Sequence, residues 1–188
     1  MRVSREQAAL NRERIVEVAA KLFREKGYDG IGVADLMKGA GLTHGGFYGH
    51  FESKEDLLAE ACGKAIAGSV ETWRQRIDRN PADPLGELAR SYLNEIHRDN
   101  AGAGCVVASL GPDVSRAGKS VQHALTAGIA AQLDMLAKAL PGDAEEARQR
   151  AIASYAMMIG GLVLARAVDD PELSKEMLAA TVAQLGQA

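Results

Sequence analysis

One short segment combines glycine, hydroxyl, imidazole and aromatic side chains more densely than any other part of the chain. It is the run Gly-Leu-Thr-His-Gly-Gly-Phe-Tyr-Gly-His-Phe at residues 41–51. At the adjacent Gly45 and Gly46 the backbone is bare, so another molecule can approach it closely. Beside them, Thr43 and His44 supply hydrogen-bond donors. These groups suit contacts to phosphate oxygens and base edges.

The neighbouring residues predict how this segment is held. Phe47 and Phe51 are four positions apart, so on a helix they share one face and can anchor it to other helices. Tyr48 and His50 then point outward and can donate to phosphates or bases. Lys54 falls in the first turn of the next helix, where the same nucleic-acid backbone could pass. A glycine turn followed by two helices in this order is typical of a helix-turn-helix that presents a recognition helix to DNA.

The two helices that follow the glycine turn carry recognisable start signals. Ser53-Lys-Glu-Asp56 fits the capping-box pattern, in which the serine side chain accepts from an amide three residues on. Thr43 is placed to cap the short recognition helix through its hydroxyl.

Two other interpretations of the segment are weaker. It could be an aromatic patch in a tight helical corner, but each glycine inside a helix costs ~1 kcal/mol relative to alanine, so adjacent glycines make a poor core helix. A glycine loop that cradles a nucleotide phosphate requires a preceding strand and the pattern G-x-x-x-x-G-K-[ST]. The chain has neither of these features.

Composition favours an all-α chain. Of 188 residues, 47% are hydrophobic and only 4% aromatic. Alanine and leucine dominate the apolar set and are held in helices at little cost, whereas strands prefer β-branched and aromatic residues. No segment approaches ~18 uninterrupted apolar residues, and the polar N-terminus lacks the apolar run of a signal peptide. We therefore expect a cytoplasmic protein with no membrane partner.

Cysteine spacing and charge add two expectations. Cys62 and Cys105 form no pattern typical of a disulfide framework or a metal site, so we expect no metal and no cofactor. Residues 1–51 carry eight basic and six acidic side chains, whereas residues 81–188 carry nine and thirteen. A mildly basic head on an acidic body fits a DNA-reading module joined to a different one.

Hydrophobic periodicity and turn residues predict about nine helices and no strand. Gly27 ends the first helix, Gly111-Pro112 ends a short apolar one, and Gly118 marks a break in a long one. The predicted spans are 6–26, 33–38, 43–50, 53–77, 84–98, 105–110, 113–140, 144–168 and 169–185. We expect a three-helix helix-turn-helix domain at residues 1–52 and a helical domain at residues 53–188.

From about Arg14 to Glu60 the chain resembles the DNA-binding domain of the TetR family of bacterial transcriptional regulators. The similarity is carried, in order, by Ile15, Ala19, Leu22, Phe23, Gly27-Tyr28, Val33-Ala-Asp-Leu36, Ala40-Gly-Leu-Thr43, Gly46-Phe-Tyr48, His50-Phe51 and Ser53-Lys-Glu55. It covers about a quarter of the chain. The resemblance, together with the residue types, implies DNA contacts from Val33, Thr43, His44, Gly45, Gly46, Tyr48, His50 and Lys54.

The chain departs from the family pattern in two places. Ile31 and Gly32 stand where the family commonly has Ser or Thr, so phosphate contacts there would fall to the Val33 amide. Gly49 stands where a larger residue is common, so one outward contact is expected to be absent.

The resemblance also implies what the remainder of the chain does. Family members are usually homodimers that bind a palindromic operator in double-stranded DNA and release it on binding a small molecule. Residues 53–188 would then be a ligand-binding and dimerisation bundle. Candidates to line an inducer cavity are Trp73, Tyr92, Ile96, Cys105, His123, Met135, Tyr155 and Met158. For each of them, the alternative is an ordinary core residue of a helical bundle.

Cys105 has two interpretations. It is either a small buried residue on an apolar helix, or a thiol beside the ligand pocket that responds to electrophiles or oxidants. The flexible Ala-Gly-Ala-Gly run before it is compatible with the second interpretation.

The last two long helices carry a wide apolar face with small residues. In the family, these two helices usually form the dimer interface, and a monomer would leave such a face exposed. The expected interface residues are Ile152, Tyr155, Ile159, Gly160, Val163, Leu178 and Val182. The alternative is a buried central helix of a monomer.

These patterns predict a ligand-responsive transcriptional repressor rather than an enzyme. A DNA-binding regulator without a ligand, acting as an activator or scaffold, is the first alternative. An enzyme with a helical body is the second, but no paired carboxylates or nucleophile–base spacing supports it. A filled body would favour the scaffold, and a cavity would favour the ligand-responsive regulator.

Overall fold

The computed structural model describes residues 4–186, and in that range it contains only helices and their connections. The α-helices are α1 (Arg5–Lys26), α2 (Val33–Gly39), α3 (Lys54–Arg79), α4 (Pro84–Tyr92), α5 (Glu95–Asp99), α6 (Val106–Arg116), α7 (Lys119–Ala139), α8 (Ala144–Ala167) and α9 (Pro171–Gly186). Two 3-10 helices lie at His44–Gly49 and Ala101–Ala103. The predicted all-α fold is confirmed.

Polar side chains determine where several helices begin. Ser53 accepts a hydrogen bond from the Asp56 N–H at 3.0 Å, and the Asp56 carboxylate accepts from the Glu52 N–H at 3.4 Å. The predicted cap at Ser53 is therefore confirmed. Asp83 and Asp143 cap α4 and α8 in a similar way. Each cap provides a partner for an amide that has none within its own helix.

The single helix predicted at residues 84–98 is two helices in the structure. α4 ends at Tyr92, and Asn94 then caps α5 by accepting from the His97 N–H at 2.9 Å. Asparagine competes with the backbone for hydrogen bonds, which favours helix caps over helix interiors. The break turns Ile96 away from the apolar face of α4, and its side chain is 82% exposed.

The helix predicted to end at Gly111-Pro112 instead continues through the proline to Arg116. Gly111 has no Cβ to clash with the proline ring, which relieves the usual restriction on the residue before proline. The buried face of α6 carries Val106, Leu110 and Val114. Packing of this face outweighs the loss of one backbone hydrogen bond. The predicted break near Gly118 is confirmed, because α7 begins directly after it.

Two hydrophobic cores occur among the described residues, and both α3 and α7 run through them. The first joins α1, α2, the first 3-10 helix, α6 and the N-terminal halves of α3 and α7, with Phe23 and Leu58 fully buried. The second joins Trp73, near the C-terminal end of α3, to α4, α7, α8 and α9. The predicted boundary after residue 52 therefore falls before a helix whose first half packs in the N-terminal core.

Among the described residues, α8 alone is long and apolar enough to cross a membrane by length and composition. The mean hydropathy of its most apolar window is 1.2, and 39% of that window is buried inside the protein. A core helix of a water-soluble bundle passes the same test, so this observation is weak evidence for a membrane span. α8 packs against α7 and α9.

Candidate nucleic-acid interface and ligand cavity

α2, a tight turn and the 3-10 helix His44–Gly49 form a helix-turn-helix on the first core. The turn contains Gly41 at φ +71°, a backbone conformation that glycine adopts without strain. Phe47 and Phe51 are 1% and 2% exposed. Their predicted anchoring role is confirmed by this burial. We call residues 43–50 the recognition segment.

The recognition segment is a 3-10 helix rather than an α-helix, and its cap differs from the prediction. Thr43 precedes it in an extended conformation, but the Thr43 hydroxyl accepts no hydrogen bond from the helix. The Thr43 backbone carbonyl instead accepts from the Gly46 N–H at 3.0 Å. Glycines destabilise an α-helix, whereas 3-10 geometry is common in such short pieces. The Thr43 side chain is consequently available to another molecule.

The outer side of the recognition segment is open. Thr43, His44 and Gly45 are exposed, and Tyr48 is 72% exposed. A Cβ added at Gly45 or Gly49 would meet no protein atom within 4 Å. The other residues predicted to contact DNA are half-buried: Val33, Gly46, His50 and Lys54. The sequence-predicted set therefore divides into four exposed residues and four half-buried ones.

Lys54 has a partner within the chain. Its ammonium donates to the Tyr28 carbonyl oxygen and lies 4.2 Å from the centroid of the Tyr28 ring. Lys54 thereby joins the start of α3 to the turn that follows α1. An ammonium has three donors, so this bond leaves capacity for a phosphate contact.

Arg12, which sequence reasoning missed, supports the recognition segment from behind. Its guanidinium makes two hydrogen bonds to the Glu60 carboxylate, and this bond raises the pKa of Arg12. The guanidinium also lies 4.6 Å from the centroid of the Phe51 ring, and Nε donates to the His50 carbonyl oxygen at 3.4 Å. Arg12 therefore connects α1, α3 and the end of the recognition segment. In the sequence it is only one more basic residue on the polar face of a helix.

A cavity of about 540 Å³ lies where α1, α3 and α4 meet the segment Ala103–Cys105. Three of the predicted ligand-contacting residues line it: Trp73, Tyr92 and Cys105. Arg24 on α1 and His97 on α5 line it as well, and neither was predicted. Small-molecule sites commonly have volumes of ~300–1,000 Å³, so this cavity is of suitable size.

Tyr155 lies next to this cavity but does not line it. Its ring centroid is 5.5 Å from that of Trp73, and its hydroxyl donates to Gln132 Oε1 at 3.0 Å. Burial raises the pKa of Tyr155 above its ordinary value. Tyr155 thus supports Trp73 from the second core.

The other four predicted ligand contacts do not line the cavity. Met158 is buried in the second core, and Met135 packs against that core. Ile96 is on the surface because of the break between α4 and α5, and His123 is on the exposed side of α7. Apolar or aromatic type alone did not distinguish cavity residues from core or surface ones.

Tyr92 and His97 form one wall of the cavity. His97 Nδ1 lies 2.6 Å from the Tyr92 carbonyl oxygen, and His97 Nε2 accepts from the Cys105 N–H at 2.9 Å. Burial lowers the pKa of His97, which agrees with a neutral ring that carries its proton on Nδ1. Tyr92 Oη, in contrast, is the single buried side-chain polar atom among the described residues without a hydrogen-bond partner.

Two arginines on different helices hold α5 and the segment that leads from it to α6, which together we call the α5–α6 connection. Arg24 Nε, on α1, donates to the Gly102 carbonyl oxygen at 2.9 Å. Arg166, on α8, donates from Nη2 to the His97 carbonyl oxygen at 2.7 Å. Burial lowers the pKa of both guanidinium groups. This connection therefore joins a helix of the first core to a helix of the second.

The two cysteines differ in their surroundings. Both are free thiols; Cys62 is buried in the first core, and Cys105 is half-buried at the cavity. Burial raises the pKa of Cys62 to about 12, which makes its thiolate inaccessible at neutral pH. Within residues 4–186, no group of three or more His, Cys, Asp or Glu side chains is arranged to hold a metal ion.

The outer side of α8, with the start of α9, is apolar and exposed. Five of the eight large hydrophobic side chains exposed in the described residues lie there: Ile152, Met157, Val163, Leu164 and Leu173. A Cβ at Gly160 would meet nothing within 4 Å, whereas one at Gly161 would lie 2.8 Å from Thr181 Oγ1. Gly160 therefore faces outward, and Gly161 permits close packing of α8 on α9. We call this outer side the α8 surface.

Not all the residues predicted for a dimer interface lie on the α8 surface. Ile152 and Val163 are exposed, and Ile159 and Val182 are half-buried. Tyr155 and Leu178 are 8% and 4% exposed and belong to the second core of the chain itself.

The part of the chain around the first core is similar to a known protein family. A family model described as "Bacterial regulatory proteins, tetR family" matches residues 15–61. The HTH-type transcriptional regulator AcrR from Shigella flexneri is 31% identical over 95 residues, which are 50% of this chain and 44% of AcrR. The HTH-type transcriptional repressor NemR from Escherichia coli K12 is 24% identical over 166 residues, covering 82% of this chain and 83% of NemR. The chain thus spans about half of AcrR and most of NemR.

Solved structures share the fold over nearly the whole chain. The reduced form of E. coli NemR superposes with a TM-score of 0.78 at 22% identity, covering 94% of this chain and 96% of NemR. FadR from Bacillus subtilis, solved in complex with stearoyl-CoA, has a TM-score of 0.63 at 16% identity, covering 90% and 97%. At these identities the superpositions establish the fold alone.

Proposed function

This chain belongs to the TetR family of bacterial regulatory proteins, and from that premise we propose that it is a transcriptional repressor controlled by a small molecule. In this proposal, a homodimer binds a palindromic operator in double-stranded DNA, and an inducer releases it. The observation that carries the proposal is the open outer side of the recognition segment, which is held in place by two buried phenylalanines.

The proposed DNA contacts follow from the exposure of each residue. Thr43, His44 and Tyr48 supply side-chain donors, and the bare backbone at Gly45 allows close approach to a base pair or phosphate. His50, Lys54 and Val33, which supplies its amide, are half-buried. We assign them to the DNA backbone, where contacts position the protein without reading sequence.

The proposed dimer is formed through the α8 surface. The inner side of α8 is apolar and buried, with Met158 and Leu162 in the second core. Its outer side, with Ile152, Val163 and Leu164, is apolar and exposed. A helix segment that is apolar on all sides is normally buried, and this part of α8 would be buried if a second copy of the chain packed against its outer side. Two copies would present their recognition segments to successive major grooves, ~34 Å apart.

A cavity next to α1 favours a ligand-responsive regulator over an activator or scaffold without a ligand. FadR, which shares the fold, was solved with stearoyl-CoA bound. A ligand acts on DNA binding only through a difference in its affinity for the two conformations of the dimer. α3 can link the ligand cavity to the recognition segment, because it lines the cavity and packs in both cores. Whether the Cys105 thiol also reacts with electrophiles or oxidants stays a prediction.

The proposal is tested by a gel shift on the promoter region that flanks the gene of this protein. We expect a specific complex at physiological salt whose affinity falls steeply as salt rises, because phosphate contacts release counterions. A scrambled duplex of equal length and composition is the control. If no specific complex forms with any flanking fragment, the repressor proposal is wrong.

A further inference from the structure

Two polar side chains line the cavity between α1, α3 and α4 with unused hydrogen-bonding or charge capacity. Among the residues that the structure describes, the Tyr92 hydroxyl has no hydrogen-bond partner, and the Arg24 guanidinium is bonded only to a neutral carbonyl. We infer that the cavity binds a small planar organic anion, such as an aromatic carboxylate, with its charged oxygens at Tyr92 Oη and the Arg24 guanidinium and its ring toward Trp73. This inference rests on the proposed function, because it names the class of inducer to which the regulator responds.

Tyr92 provides the first argument. Its side chain lines the cavity and is 8% exposed, yet its hydroxyl has no hydrogen-bond partner within residues 4–186. Buried polar atoms in folded proteins almost always have one. Burial raises the pKa of Tyr92 well above its ordinary value, so the hydroxyl keeps its proton. The nearby Cys105 thiol adds to the rise, but a thiol is a weak hydrogen-bonding group and this one lies outside normal hydrogen-bond geometry. The ligand atom that suits it is an acceptor oxygen.

Arg24 provides the second argument. Its half-buried guanidinium is bonded to a neutral group, the Gly102 carbonyl. The adjacent Glu25 carboxylate lies 3.8 Å from Lys21, and although its charge partly offsets the lowering of the Arg24 pKa by burial, Arg24 makes no direct ion pair in the part of the chain that the structure describes. A guanidinium has five donors in a planar fork that matches a carboxylate. Arg24 can therefore accept an anion without losing another charge partner.

The remaining charges of the cavity leave Arg24 as the available cation. Lys64 pairs with Glu17 at 2.9 Å, so these two lining residues neutralise each other. Arg76 lies 3.9 Å from Glu87. His97 is kept neutral by burial, and the backbone occupies both of its ring nitrogens. The aromatic part of the ligand is argued from Trp73, whose ring can pack against another ring in an offset or edge-on arrangement.

The position of Arg24 suggests how the anion would weaken DNA binding. Arg24 joins α1, which supports the recognition segment, to the connection that Arg166 holds against α8. A ligand carboxylate competes with the Gly102 carbonyl for the Arg24 donors. Occupation of the cavity would thus loosen the link between the first core and the α8 surface, and favour a conformation with a different spacing of the recognition segments.

The experiment uses the full-length protein and its only tryptophan, Trp73, as the reporter. Benzoate is titrated while Trp73 emission and the heat of binding are recorded. Neutral benzamide tests the need for charge, and cyclohexanecarboxylate tests the need for an aromatic ring. We expect saturable binding of benzoate, with both other probes about tenfold weaker or more.

Variants locate the bound probe. Tyr92→Phe and Arg24→Gln should each weaken benzoate binding about tenfold, because each removes a hydrogen bond to a charged oxygen. Arg74→Gln is the matched control, since Arg74 is exposed on α3 and pairs only with Glu71. Thermal unfolding provides a second readout: Tyr92→Phe should not lower the unfolding temperature, because it removes a hydroxyl that has no partner. A clear loss of stability in this variant would indicate a structural role and overturn the assignment.

The outcomes separate this inference from the proposed function. The anion-site inference is wrong if benzoate changes neither Trp73 emission nor the measured heat of binding, or if benzamide binds equally well. A specific operator complex in the gel shift would then still support the repressor proposal. If benzoate binds with the expected variant pattern but no operator is shifted, the repressor proposal fails and the site remains.

Discussion

At the scale of single residues, different side chains of the recognition segment anchor it to the protein and face the proposed DNA. Phe47 and Phe51 point inward and are almost completely buried, whereas the side chains of His44 and Tyr48 are exposed to solvent. Gly45 contributes space rather than a side chain, because nothing in the protein limits what could stand there. Substitutions on the two sides should therefore affect different properties.

Replacing His44 by alanine should weaken operator binding without affecting folding. His44 is exposed, so we expect unchanged thermal unfolding and a loss of ~1–2 kcal/mol in binding free energy, the range for one good base contact. Quantitative gel shifts with the parent operator measure this. His123→Ala, at an exposed histidine on α7, is the control and should bind as the parent does. Equal affinities for the two variants would remove His44 from the interface.

Two glycine substitutions should affect different properties, operator binding in one case and stability in the other. Gly45→Leu meets no protein atom, so we expect unchanged stability but a loss of ~1–3 kcal/mol in operator binding, because bulk there holds the backbone away from DNA. Gly39→Ala places a Cβ 2.9 Å from Val18 Cγ1 on α1, so we expect ~1–3 kcal/mol lower stability from overpacking. Thermal unfolding and gel shifts on both variants check the pair. A stability loss in Gly45→Leu would contradict the open surface.

At the scale of elements, the helix-turn-helix depends on side chains that come from outside it. Arg12 on α1 contacts the end of the recognition segment and the Glu60 carboxylate on α3. Lys54 joins α3 to the turn after α1. A 3-10 helix this rich in glycine has little stability of its own, so these contacts determine its orientation.

Replacing Arg12 by alanine should affect both stability and DNA binding. Its ion pair is partly exposed and screened, so we expect a total loss of ~1 kcal/mol in stability, including the contact with the Phe51 ring. Operator affinity should fall about fivefold, because the segment is less well positioned. Chemical denaturation and gel shifts measure the two effects. Arg74→Ala serves as the control; similar behaviour of both variants would show that Arg12 does not position the segment.

At the scale of the whole molecule, two cores share α3 and α7, which form one link between them, and a second link runs from Arg24 through the α5–α6 connection to Arg166. Both links join the helices that carry the recognition segment to α8. The α8 surface is the largest cluster of exposed hydrophobic side chains among the described residues. These contacts offer a path for a signal between DNA and ligand in each protomer.

Replacing Gly160 by arginine should abolish the proposed dimer. Gly160 faces outward with nothing within 4 Å, so the protomer itself can accommodate the side chain, whereas a partner helix cannot. We expect a folded monomer with unchanged helical content and much weaker operator binding, checked by analytical ultracentrifugation and gel shift. Ala127→Arg, at an exposed position of α7, is the control. A Gly160→Arg variant that sediments as the parent does would exclude this surface.

Local interactions explain how much could be predicted from the sequence. The helix spans, the cap at Ser53 and the break at Gly118 depend on residues within one or two helical turns. The helix-turn-helix depends on the spacing of Phe47, Phe51 and the glycines around them. At Pro112 prediction failed because tertiary packing outweighed the local preference and carried α6 through the proline. At residues 84–98 and in the recognition segment, local signals were misjudged: Asn94 caps a new helix, and the glycines favour 3-10 geometry.

The sequence by itself determined that this chain is all-helical and carries a DNA-reading segment, because those properties follow from local periodicity and residue type. Only the tertiary structure decided which of the eight proposed ligand contacts meet at one cavity, and that Arg24 and an unpaired Tyr92 hydroxyl stand there. It also decided which apolar residues of α8 face outward and which fill the core. Such choices depend on helices far apart in the chain, and an apolar side chain has the same type whether its neighbour is a core, a cavity or solvent.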